Sequence, residues 1–155
     1  MITVDAPGWG NLTLAILLLD LNGTLTLDGA LIKGVRERIL DLSRKLEIHV
    51  LTADTLGKAA AICHDLPVIL HIITEKDQIA AKKDYLKGLP FEAAAIGNGR
   101  NDVGMLSGAA LGIAVLGPEG TSSEAISASD IVLGDINDAL DLLLNPERIK
   151  ATLRS

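Results

Sequence analysis

Leu17-Leu18-Leu19-Asp20-Leu21-Asn22-Gly23-Thr24-Leu25-Thr26 is the stretch that decides the fold. An aliphatic run ends on a carboxylate, and a turn with one glycine and two hydroxyls follows at once. A run that is apolar on both faces suits a strand buried in a parallel sheet. In an open α/β sheet, ligands bind outside the carboxyl ends of the strands, and Asp20 falls at such an end. A carboxylate there, beside the N–H groups of a tight turn, is placed to attack a phosphoryl group.

Working outward, strands and helices alternate. Met1–Val4 and Leu12–Leu19 flank the turn residues Pro7, Gly8, Gly10 and Asn11, which predicts a hairpin whose second arm becomes the central strand. Trp9 in that turn reads as a residue packed on the sheet edge. Asp28-Gly29 marks a further turn. Val35, Ile39, Leu42 and Leu46 form one stripe of a helix over 35–46, with Arg36, Arg38, Arg44 and Lys45 on its solvated face. Strands are predicted at 48–51, 67–73, 92–96, 111–115 and 131–133, and helices at 56–64, 77–86, from 103, at 123–126 and from 138. That alternation implies a three-layer α/β/α Rossmann-like domain over residues 1–155, with a mostly parallel sheet and helices on both faces.

Composition narrows the function. The 155 residues are 48% hydrophobic but only 2% aromatic, so the core must be built from Leu, Ile, Val and Ala. A net charge of −6 without a basic cluster argues against nucleic-acid binding. The single cysteine, Cys63, rules out an internal disulfide and a multi-cysteine zinc site, and reads as a packed core residue. No segment approaches the ~20 apolar residues of a membrane span. No basic region precedes Leu14–Leu19 as it would in a signal peptide. The expectation is a cytoplasmic protein with no membrane partner. His49 and His71 lie within predicted strands and read as packed or edge residues rather than ligands.

Polar residues recur at the predicted strand ends, in the order Asp20 with Asn22 and Thr24, then Thr52, then a lysine near position 82, then Gly97-Asn98-Gly99-Arg100-Asn101-Asp102. Each type has a task in phosphoryl transfer. A carboxylate takes the phosphoryl group; a hydroxyl and a lysine hold its oxygens and offset their charge. Further oxygen ligands suit Mg²⁺.

Asp-x-Asn-Gly-Thr-Leu-Thr, from Asp20 to Thr26, closely resembles the nucleophile motif of the haloacid dehalogenase-like (HAD) phosphohydrolases. Residues 97–106 resemble the Gly-Asp-Gly-x-Asn-Asp loop of P-type ATPases. Leu111–Val115, Glu124-Ala125 and Ser129–Leu133 continue like the end of their phosphorylation domain. The chain is similar to the small, capless, soluble P-type ATPase-like proteins of that superfamily.

The resemblance implies a Mg²⁺-dependent phosphatase acting through an aspartyl-phosphate on Asp20. It implies Gly23, Thr24, Thr52, Ala53 and a lysine as the phosphate-binding group. Asp20, the Asn22 carbonyl, Asn98 and Asp102, directly or through water, would be the metal ligands. Lys82 is the chosen lysine, with Lys83 and Lys76 as competitors. Two positions depart from the family pattern. Asn22 stands where phosphatases carry the Asp that protonates the leaving group and activates water, and Asn98 stands where a metal-binding Asp is usual. An amide cannot titrate, so turnover is expected to be slow, and Asp54 is a possible substitute base. The alternative is a protein that binds phosphate or stays phosphorylated without hydrolysing it. Only about one helix and one strand fit in each gap, from Asp20 to Thr52 and from Thr52 to Lys82, so no cap module is expected. An open site suits a small-molecule or macromolecular phosphorylated substrate, or a second copy of the chain acting as a lid.

Overall fold

The computed structural model describes residues 1–155. Its centre is β3 (Ile16–Asp20), whose five residues are all buried. The register explains why. Leu17 and Leu19 join one apolar cluster, and Ile16 and Leu18 join a second on the opposite face, because successive strand side chains alternate. On one side β3 pairs with β6 (Glu47–Thr52), which pairs with β7 (Ile69–Ile72). On the other it pairs with β8 (Ala93–Gly97), followed by β9 (Leu111–Val115) and β10 (Ile131–Leu133). The order β10-β9-β8-β3-β6-β7 is parallel throughout. The chain runs outward from β3 to β7, then crosses back to β8, so the topological switch point lies beside β3. Such switch points are where open α/β sheets open a ligand crevice.

Helices cover both faces. α1 (Val35–Leu42) packs on α6 (Ile136–Leu144), which leads into α7 (Pro146–Leu153). α3 (Gln78–Lys87) packs on α4 (Val103–Gly108), beside α5 (Ser123–Ala128), and α2 (Ala59–Cys63) lies near β7. Three helices start on side-chain caps. Asp77, Ser122 and Asp135 accept hydrogen bonds from the backbone N–H of Ala80, Glu124 and Asp138. Each cap satisfies a donor that the first helical turn leaves unpaired.

Several expectations need correction. The hairpin of β1 (Ile2–Ala6) and β2 (Gly10–Leu14) is a sheet of its own, and the chain passes into β3 only after leaving that ladder at Ala15. The ladder buries Ile2, Val4, Ala6, Leu12 and Leu14 and packs β1 against α7. Trp9 is 39% exposed rather than packed. Arg38 does not belong to the solvated face. Its guanidinium grips both carboxylate oxygens of Asp141 at 2.8 and 2.9 Å, tying α1 to α6 and holding Asp141 below the usual carboxylate range. α1 ends at Leu42, and α2 begins only at Ala59, because Asp54 and Gly57 ahead of it take left-handed backbone (φ 51° and 65°) that no helix continues.

The turn at Asp28-Gly29 closes a small hairpin, β4 (Thr26–Leu27) with β5 (Ala30–Leu31). Its two central residues have φ of 51° and 80°, as the tight hairpin turn demands. No other element separates β3 from α1, and no helix is long and apolar enough to cross a membrane.

Candidate active site

Asp20, Thr52 and Asn98 stand at the carboxyl ends of three adjacent strands, β3, β6 and β8. Lys82 reaches the same point from the first turns of α3. Its Nζ donates to Asp20 Oδ1 at 2.8 Å and to Asp102 Oδ1 at 2.6 Å. Lys82 and Asp102 are wholly buried and Asp20 is 5% exposed. Burial pulls the ammonium's pKa down, but the two carboxylates outweigh it and leave the pKa above its ordinary value. For Asp102, burial and the charge of Asp20 together exceed the help from Lys82, and its pKa is pushed up to about 6. Of the three candidate lysines, Lys82 is the one brought to Asp20; Lys76 and Lys83 are exposed.

Asp102 is spent on structure as well as charge. Its Oδ2 accepts the backbone N–H groups of Asn98 and Gly99 at 3.0 and 2.9 Å, while Oδ1 takes Lys82. A Cβ on Gly97 would lie 2.5 Å from the Asp102 carboxyl carbon, so this loop closes only over glycine. Both Asp102 oxygens are therefore engaged inside the protein.

The turn after Asp20 winds on one carbonyl. Leu21 O accepts from the N–H groups of Thr24, Leu25 and Thr26, and Gly23 N–H donates to Thr26 O. The turn consumes the backbone N–H groups of Gly23 and Thr24. Thr24 instead presents its hydroxyl, which lies 3.0 Å from Asp20 Oδ2 and 3.1 Å from Asn98 Oδ1. The Asn98 amide is oriented by its Nδ2, which donates to Gly120 O at 3.0 Å. A carboxylate oxygen and an amide oxygen thus converge on one buried hydroxyl, an all-oxygen donor set of the kind a hard divalent cation takes. Asn22 is half-buried and bridges to Thr26.

Thr52 is buried, and its Oγ1 accepts the Asp54 N–H at 3.0 Å, which leaves the hydroxyl proton to be donated elsewhere. Ala53 follows it, half-buried. Asp54 turns its carboxylate to the Ala59 N–H at 2.9 Å, at the start of α2. That contact engages Oδ1 alone.

One segment escaped the reading of the sequence. The loop 117–122 folds over the site. Ser122 N–H donates to Asn98 O at 2.9 Å, and Glu119 Oε1 accepts the Asp28 N–H at 3.1 Å across the β4–β5 turn. A Cβ on Gly23 would come within 2.6 Å of Glu119 Oε2. Pro118-Glu119-Gly120 signals a turn and nothing more, so only the fold reveals that it covers Gly23 and Asn98. His49 is buried between Tyr85 and Glu47, and His71 lies exposed against the Tyr85 ring; neither hydrogen-bonds to these carboxylates.

No family model matches the chain. It is 63% identical over 60 residues to the uncharacterized protein MJ0073 of Methanocaldococcus jannaschii, a match covering 39% of this chain and 64% of that one. It is 52% identical over 40 residues to MJ0072 of the same organism, covering 26% of this chain and 91% of that one. Among solved structures it is similar to the cobalt-bound deoxy-D-mannose-octulosonate 8-phosphate phosphatase of Haemophilus influenzae (TM-score 0.67, 17% identity, 92% of this chain and 94% of that one). The corresponding phosphatase of Moraxella catarrhalis, solved with magnesium, phosphate and KDO, gives a TM-score of 0.63 at 19% identity, over 91% and 94%. A zinc-transporting PIB-type ATPase gives 0.60 at 24% identity, over 79% of this chain and 20% of that one. The chain has the fold of the HAD-family hydrolases and belongs to the family of MJ0072.

Proposed function

We propose that this protein is a Mg²⁺-dependent phosphohydrolase that transfers a phosphoryl group to Asp20 and hydrolyses the aspartyl-phosphate slowly. The observation that carries this reading is the buried bridge of Lys82 between Asp20 and Asp102. It holds a carboxylate at a strand end, beside two hydroxyls, with a fixed cation next to it. The fold shared with phosphatases, one of them solved with magnesium and phosphate, supports it.

Asp20 Oδ2 lies on the Asn98 side, where the cation would sit, so Oδ1, held by Lys82, is the oxygen that attacks phosphorus. The new bond joins Oδ1 to phosphorus as the bond from phosphorus to the leaving oxygen breaks. Lys82, Thr52 and Thr24 donate to the phosphoryl oxygens and offset their charge. Asp20, the Asn22 carbonyl and the Asn98 amide oxygen would hold Mg²⁺, with Asp102 reaching it through water because its own oxygens are engaged. Bound there, the ion neutralises the charge of the transferring group.

The leaving alkoxide must take its proton from solvent, because the Asn22 amide cannot titrate. In the second half, water attacks phosphorus, phosphate departs and the Asp20 carboxylate is restored, again without a base at position 22. Lost general acid–base help costs about 10²–10⁴-fold in rate. Substrates with good leaving groups are therefore favoured in the first step.

Phosphate release from acetyl phosphate and a panel of esters, with and without Mg²⁺, tests the proposal. Asp20→Asn abolishes release; unchanged release would refute it. Intact mass after acetyl phosphate separates turnover from a second reading, which Asn22 and Asn98 favour. A lasting phosphoryl adduct with no release marks a protein that is phosphorylated rather than a phosphatase.

A further inference from the structure

The carboxylate of Glu119 is fixed beside the active site, and no cation pairs with it. Its loop is tied twice to Asn98. Gly120 O accepts from Asn98 Nδ2 at 3.0 Å, and Ser122 N–H donates to Asn98 O at 2.9 Å. The side chain is tied at its other end, where Oε1 accepts the Asp28 N–H at 3.1 Å. No lysine, arginine or histidine forms a salt bridge with it. Its second oxygen, Oε2, has no hydrogen-bond partner in the protein. A Cβ on Gly23 would lie 2.6 Å from that oxygen, and 2.8 and 3.4 Å from Asn98 Nδ2 and Oδ1. The Glu119 carboxylate and the Asn98 amide therefore flank one point beside Gly23, next to Asn22 in the chain.

A free carboxylate is out of place beside a phosphate site, because it repels the phosphoryl group unless a positive charge stands between them. Three ionised carboxylates, Asp20, Asp102 and Glu119, against the one ammonium of Lys82 leave a net charge of −2. One divalent cation balances that charge. Asn98 offers such a cation an amide oxygen, 3.1 Å from the Thr24 hydroxyl, but no charge of its own. We propose that Glu119 supplies the charge that Asn98 lacks, by holding a water of the cation's shell from the 117–122 loop. Mg²⁺ keeps several of its waters when it binds, so Glu119 needs no direct bond to the ion. Glu119 is thus a positioning residue, fixed by Asp28 on one side and Asn98 on the other. The proposal rests on the Mg²⁺ reading above and adds to it a residue from outside the 97–102 loop.

The test is a titration of the protein with Mn²⁺, which takes the same oxygen ligands as Mg²⁺. No substrate is present, and free ion is counted from its six-line EPR spectrum. Glu119→Gln removes the charge but keeps Oε1 as the acceptor for Asp28 N–H. The expected result is a Kd about tenfold higher, as when an outer-shell partner of a metal ligand is removed, with the metal-free melting temperature unchanged. Glu147→Gln removes the same charge at the far end of α6 and leaves the Kd unchanged. The proposal is overturned if Glu119→Gln moves the Kd by less than about twofold, or by no more than Glu147→Gln does. It is also overturned if the metal-free melting temperature falls along with the affinity, which would assign the loss to the loop. Asp20→Asn, which removes a direct ligand, weakens binding in the same assay. If it does so while Glu119→Gln does not, this proposal falls and the Mg²⁺ reading stands. If the wild type binds no Mn²⁺, both fall.

Discussion

Lys82→Met removes the only cation from a buried group that contains two carboxylates. Lys82 and Asp102 are 0% exposed and Asp20 is 5% exposed, so no water replaces the lost ammonium. Methionine keeps the length and most of the volume of the side chain, so the packing change is small. Removing one partner of a buried ion pair costs about 3–5 kcal/mol, because the charge left behind is uncompensated. At about 2–4 °C per kcal/mol for a domain of this size, the melting temperature falls by roughly 6–20 °C at neutral pH.

The pH dependence separates charge from packing. In the native protein the Asp102 pKa stands above its usual 3.8, at about 6. The folded state therefore holds this proton more tightly than the unfolded chain does. Its stability contribution is full below the unfolded value and is lost as pH rises through the folded one. Without Lys82 the folded pKa rises further, so that loss extends to higher pH. Urea denaturation of both proteins at pH 4.5 and pH 8 measures the gap. We expect about 3–5 kcal/mol at pH 8 and no more than about 2 kcal/mol at pH 4.5, where Asp102 is protonated in both. An equal gap at both pH values would refute the electrostatic reasoning and assign the loss to packing.

Asn22→Asp restores a titratable group beside Asp20 and should raise steady-state phosphate release by about 10²-fold or more; an unchanged rate would mean that another group already moves the proton. Asn98→Asp adds a charge where an amide oxygen now faces Thr24, and should lower the Mg²⁺ concentration needed for half-maximal activity, read from a metal titration. Gly104→Ala places a Cβ 2.5 Å from Ile79 O, where α4 crosses α3. It should cost about 1–3 kcal/mol in urea denaturation. Because α3 carries Lys82, it should slow phosphoryl transfer as well. Cys63 is buried and its thiol is pushed up, so a disulfide reagent at pH 8 should modify it only slowly until urea unfolds the chain.

Periodicity in the sequence determined the parallel core of this protein, because that core is written in local pattern. Leu17–Leu19 are apolar on both faces, and Leu111–Val115 and Ile131–Leu133 match the observed strands residue for residue. Asp20, Thr52 and Asp102 were legible as candidates for a similar reason: each is a polar residue at or just past the end of an apolar run. Elements of two residues, such as β4 and β5, carry no period, and left-handed residues such as Asp54 shorten helices without a signal that a pattern can hold. Only the tertiary structure decided which lysine meets Asp20, since Lys82 and Lys83 differ by about 100° around a helix and not by composition. It alone spent both oxygens of Asp102 on Lys82 and the 98–99 backbone, turned the Gly23 and Thr24 N–H groups inward, and laid Glu119 over Gly23. Lys82 meets Asp20 and Asp102 across 62 and 20 residues of chain, and Glu119 meets Asp28 across 91, and no local pattern encodes such meetings.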